Sequence, residues 1–137
     1  MTSGVAAAPV GRALFPYDVS IVVPCYNEVE NVRPLVEALR RVLADYAWEV
    51  IFVDDNSPDG TIRAVHGLAV EDQRVRGLRR IGRKGLSSAV IEGILSSSAP
   101  IVAVMDGDLQ HDEGQLPALI EAVRGGCDLA VGSRHVE

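Results

Sequence analysis

In the stretch AVMDGDLQHDE, residues 103–113, a run of apolar β-formers gives way to Asp106, Asp108, Asp112 and Glu113. Carboxylates this close repel one another unless they are solvated or share a cation. In extended backbone, residues i and i+2 point to the same side, so Asp106 and Asp108 can present two hard oxygens to one point. Gly107 removes the side chain between them and lets a ligand approach the backbone. Two carboxylates, with the rest of the shell supplied by water and phosphate oxygens, is a common way of holding Mg2+ or Mn2+. Gln110 offers a third oxygen on the same side. His111 reads as a solvent-facing loop residue, because imidazole suits softer metals. The alternative is ordinary loop chemistry, with Asp112 serving as a helix cap.

Two further polar segments invite the same question. PCYNE (24–28) follows the apolar run DVSIVV (18–23), and DDNSPDG (54–60) follows WEVIFVD (48–54). Both runs read as buried strands, the first ended by Pro24. Between and after them lie helical patterns over 28–46, 58–72, 85–98 and 112–126. The first of these has a 3.6-residue apolar stripe from Val32 to Leu43. The second opens at Pro58, and the last accommodates Pro117 if that residue falls in its first turn. Residues 75–81 and 100–106 read as the third and fourth strands, and 127–134 begins a fifth. Strands alternating with helices of this length specify βαβ crossovers, hence an α/β fold with a mainly parallel sheet covered on both faces. Ligands of such sheets bind outside the carboxyl ends of the strands, which is where all three acid-bearing loops fall.

Composition narrows the classes. The chain has 137 residues, 47% of them hydrophobic, which suits one domain with one core. A net charge of −6 argues against nucleic-acid binding. The basic cluster from Arg74 to Lys84 lacks interleaved aromatics and suits a phosphate-sized anion. Cys25 and Cys127 have neither metal-type nor disulfide spacing and read as free thiols of a reducing, cytoplasmic compartment. No apolar run approaches the ~20 residues of a membrane span. Residues 1–17 read as a flexible leader. The sequence lacks a Walker-type phosphate loop, a G-x-G-x-x-G turn after the first strand, and a serine elbow.

Taken together, SIVVPCYNEVENV (20–32), IFVDDNSPDGT (51–61), RKGLSSAVIEGI (83–94), VMDGDLQHDE (104–113) and LAVGSRHVE (129–137) resemble the family 2 inverting glycosyltransferases. S-P-D-G-T and D-L-Q-H are similar to the dolichol- or polyprenol-phosphate mannosyltransferase branch. The resemblance implies a GT-A fold, in which 18–137 is the nucleotide-sugar-binding domain, incomplete because the acceptor half is missing. It implies that Pro24, Tyr26 and Glu28 line the nucleoside pocket and that Asp55 contacts the base, with Asp54 holding the loop or the ribose. Asp106, Asp108 and Gln110 would hold Mg2+ or Mn2+ against the donor diphosphate. Gly85 and Ser87, at a helix start, would help cradle phosphate through backbone N–H groups. Arg134 of GSR would engage the acceptor phosphate. Cys25 stands where many relatives have Thr.

The implied reaction moves a hexose, mannose from GDP-mannose foremost, onto a polyprenyl or dolichyl phosphate with inversion. That acceptor implies work at a membrane surface, by a peripheral chain whose anchor is another segment or subunit. Three other readings stay open: a UDP-sugar-dependent relative, a catalytically inactive nucleotide-binding fragment, and a phosphoacceptor receiver domain. The last would need a Lys at the end of a later strand where this chain has Arg134.

Overall fold

The computed structural model describes residues 15–108 and 113–128. In chain order the elements are β1 (Val19–Cys25), α1 (Val29–Val42), β2 (Trp48–Asp54), α2 (Thr61–Glu71), β3 (Val75–Arg79), α3 (Leu86–Leu95), β4 (Ile101–Val104) and α4 (Leu116–Arg124). A single 3-10 turn, Glu113–Gln115, leads into α4. The four strands are all parallel, in the order β3-β2-β1-β4. Register pairs Val22 with Ile51 on one side and with Val104 on the other.

The period-two alternation of the strands sorts side chains to two faces. Val19, Ile21 and Val23 of β1 join Val50 and Phe52 of β2 under α1, α2 and α4, the larger core. Val22, Ile51 and Val53 face the other way, against Ala89 of α3. Helices thus cover both faces, as the βαβ pattern requires. Val32, Leu35, Val36 and Leu39 are the buried stripe of α1. Each such side chain contributes roughly 1.5–3 kcal/mol through removal from water.

Several boundaries differ from the sequence reading, for physical reasons. β1 runs through Pro24 to Cys25. The Cys25 carbonyl accepts the Asp55 N–H from the β2 side, while the Val22 carbonyl accepts the Met105 N–H from the β4 side. By alternation the missing N–H of Pro24 faces β4 beyond its end at Val104, where no ladder bond is lost. α2 starts at Thr61 and not at Pro58. Gly60, at φ 90°, precedes it, and the Asp59 carboxylate accepts the Thr61 amide at 3.0 Å. Pro117 does lie in the first turn of α4. The expected fifth strand falls mostly outside the described residues, and the leader expectation largely does so too.

The arginines of the Arg74–Lys84 cluster are drawn to separate partners. Arg74 stacks on Trp48 at 4.3 Å and pairs with Asp72. Arg76 pairs with the buried Glu49, and Arg79 donates to Asn56. Arg80 and Arg83 both reach Glu92. Strand alternation distributes these arginines to different neighbours. Cys25 and Cys127 are both free thiols, the first buried and the second exposed.

Candidate active site

The strand order places a topological switch beside β1: its crossover through α1 leads to β2 on one side, while β4 enters on the other. Loops leaving β1 and β4 must diverge there and open a crevice. An open cleft of about 320 Å³ occupies that position. Pro24, Cys25, Tyr26 and Glu28 from the end of β1 form one wall, and Asp106, Gly107 and Asp108 after β4 form another. Asp55 closes the β2 side, and Leu86 and Ala89 of α3 supply an apolar floor.

Close packing fixes the β4 side. A Cβ on Gly107 would meet Cys25 Cβ at 3.3 Å and Glu28 Cγ and Val23 Cγ1 at 3.4 Å. The backbone between the two aspartates therefore lies hard against β1, and only a small residue fits there. The β1 and β2 loops are tied to each other by side chains that replace a local helix cap. Ser57 Oγ accepts the Asn27 amide at 2.8 Å, Thr61 Oγ1 the Glu28 amide at 3.1 Å and Asp59 Oδ2 the Val29 amide at 3.3 Å. The otherwise unpaired N–H groups opening α1 are thus satisfied from the neighbouring loop. Asn27 adopts φ 55°, a left-handed turn that asparagine tolerates.

The adjacent aspartates at the carboxyl end of β2 have different surroundings. Asp54 is fully buried, and its carboxylate accepts the Ser57 amide at 3.0 Å and the Ser57 hydroxyl. It holds the loop, the first of the two roles considered for it. Asp55 projects into the cleft. Its Oδ1 accepts Arg80 Nε at 2.7 Å and its Oδ2 accepts the Gly85 amide at 3.2 Å. The Arg80 hydrogen bond, opposed by partial burial and aided by the Gly85 amide, holds this carboxyl below its ordinary range. Burial, with the charges of Asp54 and Glu28 nearby, pushes the Cys25 thiol far upward, so it stays protonated and unreactive.

Of the residues singled out in the sequence, the fold gathers Pro24, Tyr26, Glu28, Asp55, Asp106 and Asp108 around one cleft. Tyr26 is half exposed at its rim. The Gly85 amide, expected to face phosphate, donates to Asp55 instead, and neither Gly85 nor Ser87 lines the cleft. Gln110 and Arg134 lie outside the described residues. Arg80, Ser57, Asp59 and Thr61 emerge from the structure alone. Ser, Asp and Thr of the S-P-D-G-T run are the available signal for the last three, since those side chains suit backbone capping. Among the described residues no group of three His, Cys, Asp or Glu side chains converges as a self-sufficient metal cage. Asp106 and Asp108 bring two carboxylates to the same wall of the cleft.

Residues 20–137 match glycosyl transferase family 2. The chain belongs to that family. It is 43% identical over 119 residues to a dolichol-phosphate mannosyltransferase of Pyrococcus furiosus, an overlap covering 87% of this chain and 34% of the relative. It is 39% identical to an undecaprenyl-phosphate mannosyltransferase of Micrococcus luteus, covering 84% of this chain and 47% of the relative. This family 2 chain thus spans less than half the length of either relative. In fold it is similar to a Pyrobaculum calidifontis mannosyltransferase solved with GDP-Man and Mn2+. That match has a TM-score of 0.59 and 26% identity, and covers 69% of this chain and 28% of the other. Family 2 membership, the parallel α/β sheet and kinship with polyprenol-phosphate sugar transferases agree with the sequence reading. Among the described residues no helix is long and apolar enough to cross a membrane.

Proposed function

We propose that this chain is the donor-binding half of an inverting glycosyltransferase that moves mannose from GDP-mannose onto a polyprenyl or dolichyl phosphate. The observation that carries this reading is the convergence of Tyr26, Glu28, Asp55, Asp106 and Asp108 on one cleft at the switch of a family 2 sheet. Pro24, Tyr26 and Glu28 shape the nucleoside pocket, and Asp55 accepts hydrogen bonds from the base. Asp106 and Asp108, with Gln110, are the residues that would hold Mg2+ or Mn2+. A bound cation of that kind neutralises charge developing on a departing diphosphate.

In the proposed reaction an oxygen of the acceptor phosphate attacks the anomeric carbon. The bond from that carbon to the donor β-phosphate breaks on the opposite face, and GDP leaves. The nucleophile is anionic at neutral pH, so no proton need be removed from it. That suits a cleft lined by carboxylates, with no histidine among the described residues that line it. The anionic acceptor instead calls for a planar cation, the role we assign to Arg134. The acceptor places the work at a membrane surface, with the chain peripheral on the cytoplasmic side. The acceptor half would be contributed by residues after the GSR motif.

Thermal denaturation of the chain with GDP-mannose and UDP-glucose, with and without Mn2+, tests the donor half. A ligand at 100 times its Kd adds about 2.7 kcal/mol of stability. A Mn2+-dependent rise in Tm with GDP-mannose, larger than with UDP-glucose, is the expected result. Equal or absent shifts overturn the donor assignment. Transfer of radiolabelled mannose to polyprenyl phosphate by the chain extended downstream, and absence of transfer by the chain alone, tests the division into halves.

A further inference from the structure

Arg80 lies at the end of β3, and its guanidinium is 1% exposed. Burying that charge is costly unless every donor finds an acceptor. Four of its five N–H donors find acceptors, on three separate segments. Nε donates to Asp55 Oδ1 at 2.7 Å; Nη1 donates to Ser88 Oγ and to Glu92 Oε2, each at 2.8 Å; Nη2 donates to the Gly85 carbonyl at 3.0 Å. Its own amide donates to the Asp54 carbonyl at 2.8 Å. A lysine ammonium, a point charge on a flexible stem, cannot span these acceptors in one plane.

The consequence falls on Asp55. Each of its oxygens accepts one bond from the protein, Oδ1 from Arg80 and Oδ2 from Gly85. The Gly85 amide is itself held in place because the Gly85 carbonyl is bound to Arg80. Arg80 therefore orients the carboxylate twice, once directly and once through Gly85. A carboxylate has about four lone-pair sites, so one on each oxygen remains for a ligand in the cleft.

We propose that Arg80 is a positioning residue for base recognition, locking the Asp55 carboxylate so that both its oxygens meet a base with two adjacent N–H donors. This rests on the donor-site reading given above. Among the common bases guanine presents such a pair, at N1 and N2. Uracil presents one N–H between two carbonyl oxygens, which a carboxylate repels. Adenine and cytosine place a bare ring nitrogen beside their amino group. The lock thus converts a largely buried loop carboxylate into a selective one. Preorganisation of this kind strengthens binding by removing the cost of ordering the acceptor when the ligand arrives.

Calorimetric titration of the chain with GDP, UDP and inorganic pyrophosphate, each with Mn2+, tests the assignment on wild type, Arg80→Lys, Asp55→Asn and the double variant. Pyrophosphate carries no base and reports the rest of the site. Arg80→Lys is expected to lower GDP affinity tenfold or more and to shrink the GDP-over-UDP preference, with pyrophosphate affinity within twofold of wild type. In the Asp55→Asn background the same change should cost less than twofold further, because the residue it positions is already gone. Equal losses for GDP and pyrophosphate, or full additivity in the double variant, would mean a structural role and overturn the proposal. Should Arg80→Lys fail to fold, Ser88→Ala decides. It removes one anchor of the fork at an exposed position, and an unchanged GDP-over-UDP ratio there overturns the proposal equally. A wild-type preference for UDP defeats the guanine assignment, and a wild type that binds pyrophosphate but no nucleotide defeats the donor-site reading beneath it.

Discussion

The two ends of the sheet treat acidic residues in opposite ways. At the amino end, Asp72 ahead of β3 holds Arg74 at 2.9 Å and Arg40 at 3.2 Å. Asp18 ahead of β1 accepts the Ala47 amide at 3.0 Å and reaches Arg124 at 3.5 Å. These carboxylates tie helices to strands. At the carboxyl end, Glu28, Asp55, Asp106 and Asp108 gather around a cleft, and the buried guanidinium among them is bound to Asp55. Acids at the amino end link neighbouring elements, whereas those at the carboxyl end line open space that a ligand can enter.

Removing an acid at each end should therefore have different signatures, in transfer rate at one end and in stability at the other. The largest effect is expected at the cleft. Asp108→Ala in a downstream-extended enzyme should lower the rate of sugar transfer by about 10²–10³, the usual scale for an electrostatic group at a reacting centre. The Tm of the unliganded protein should change little, because Asp108 is exposed. Steady-state transfer assays beside thermal melts check both halves. Undiminished turnover would remove Asp108 from the site, and a large fall in Tm would make it a structural acid like those at the other end.

Next in size is a change beneath the cleft. Gly93 of α3 lies so close to β1 that a Cβ would sit 2.3 Å from Val22 Cγ1. Gly93→Ala must push α3 off the sheet, at a cost of about 1–3 kcal/mol for such overpacking. Because α3 carries Leu86, Ala89, Ser88 and Glu92, nucleotide affinity should fall together with stability. Denaturant melts and GDP titration on the same variant test that coupling. Lost stability with unaltered affinity would show that the cleft does not depend on the seating of α3.

Much of this architecture was legible in the sequence because buried parallel strands read as short apolar runs and amphipathic helices as 3.6-residue stripes. The span of β2, Trp48–Asp54, follows from composition alone. The carboxyl-end location of the acidic loops follows from the alternation of elements. Long-range partners were not legible. Asp54 and Asp55 are neighbours, so strand periodicity says that they diverge, yet which one meets the cleft depends on Ser57 and on Arg80, 25 residues away. Among the arginines of RVRGLRRIGRK, nothing local marks Arg80 as the buried one. Its selection rests on Glu92 and Ser88, one turn apart on a helix that follows. Pro24 misled because its effect depends on where β4 stops.

The amino end supplies the third test. Arg74, opposed by burial and joined by Arg40, holds the Asp72 carboxyl down at about 2. A depressed folded-state value means that the ion cluster stabilises the protein above the unfolded value near 4, and that this stabilisation fades as pH falls toward about 2. Asp72→Asn should therefore cost roughly 1–2 kcal/mol at pH 7. Each tenfold change in proton affinity corresponds to about 1.4 kcal/mol, and the part-exposed arginines call for a discount. Urea melts across pH 2–7 should show the two proteins converging at the acid limit. A gap that persists at pH 2 would mean that Asp72 acts through packing and not through charge.

The smallest effect belongs to an ion pair outside both ends. Arg33 and Glu71 join α1 to α2 at 3.5 Å, with more than half of each side chain exposed. Water and salt screen such a pair, and ordering two long side chains offsets most of the attraction. Arg33→Ala should change stability by less than about 0.5 kcal/mol, within the ordinary range for surface substitutions. Urea melts at low and at physiological salt measure it directly. If Arg33→Ala cost as much as Asp72→Asn, charge pairing anywhere on this molecule would be equally stabilising. The stabilising role of the Asp72 cluster would then not be particular to the amino end.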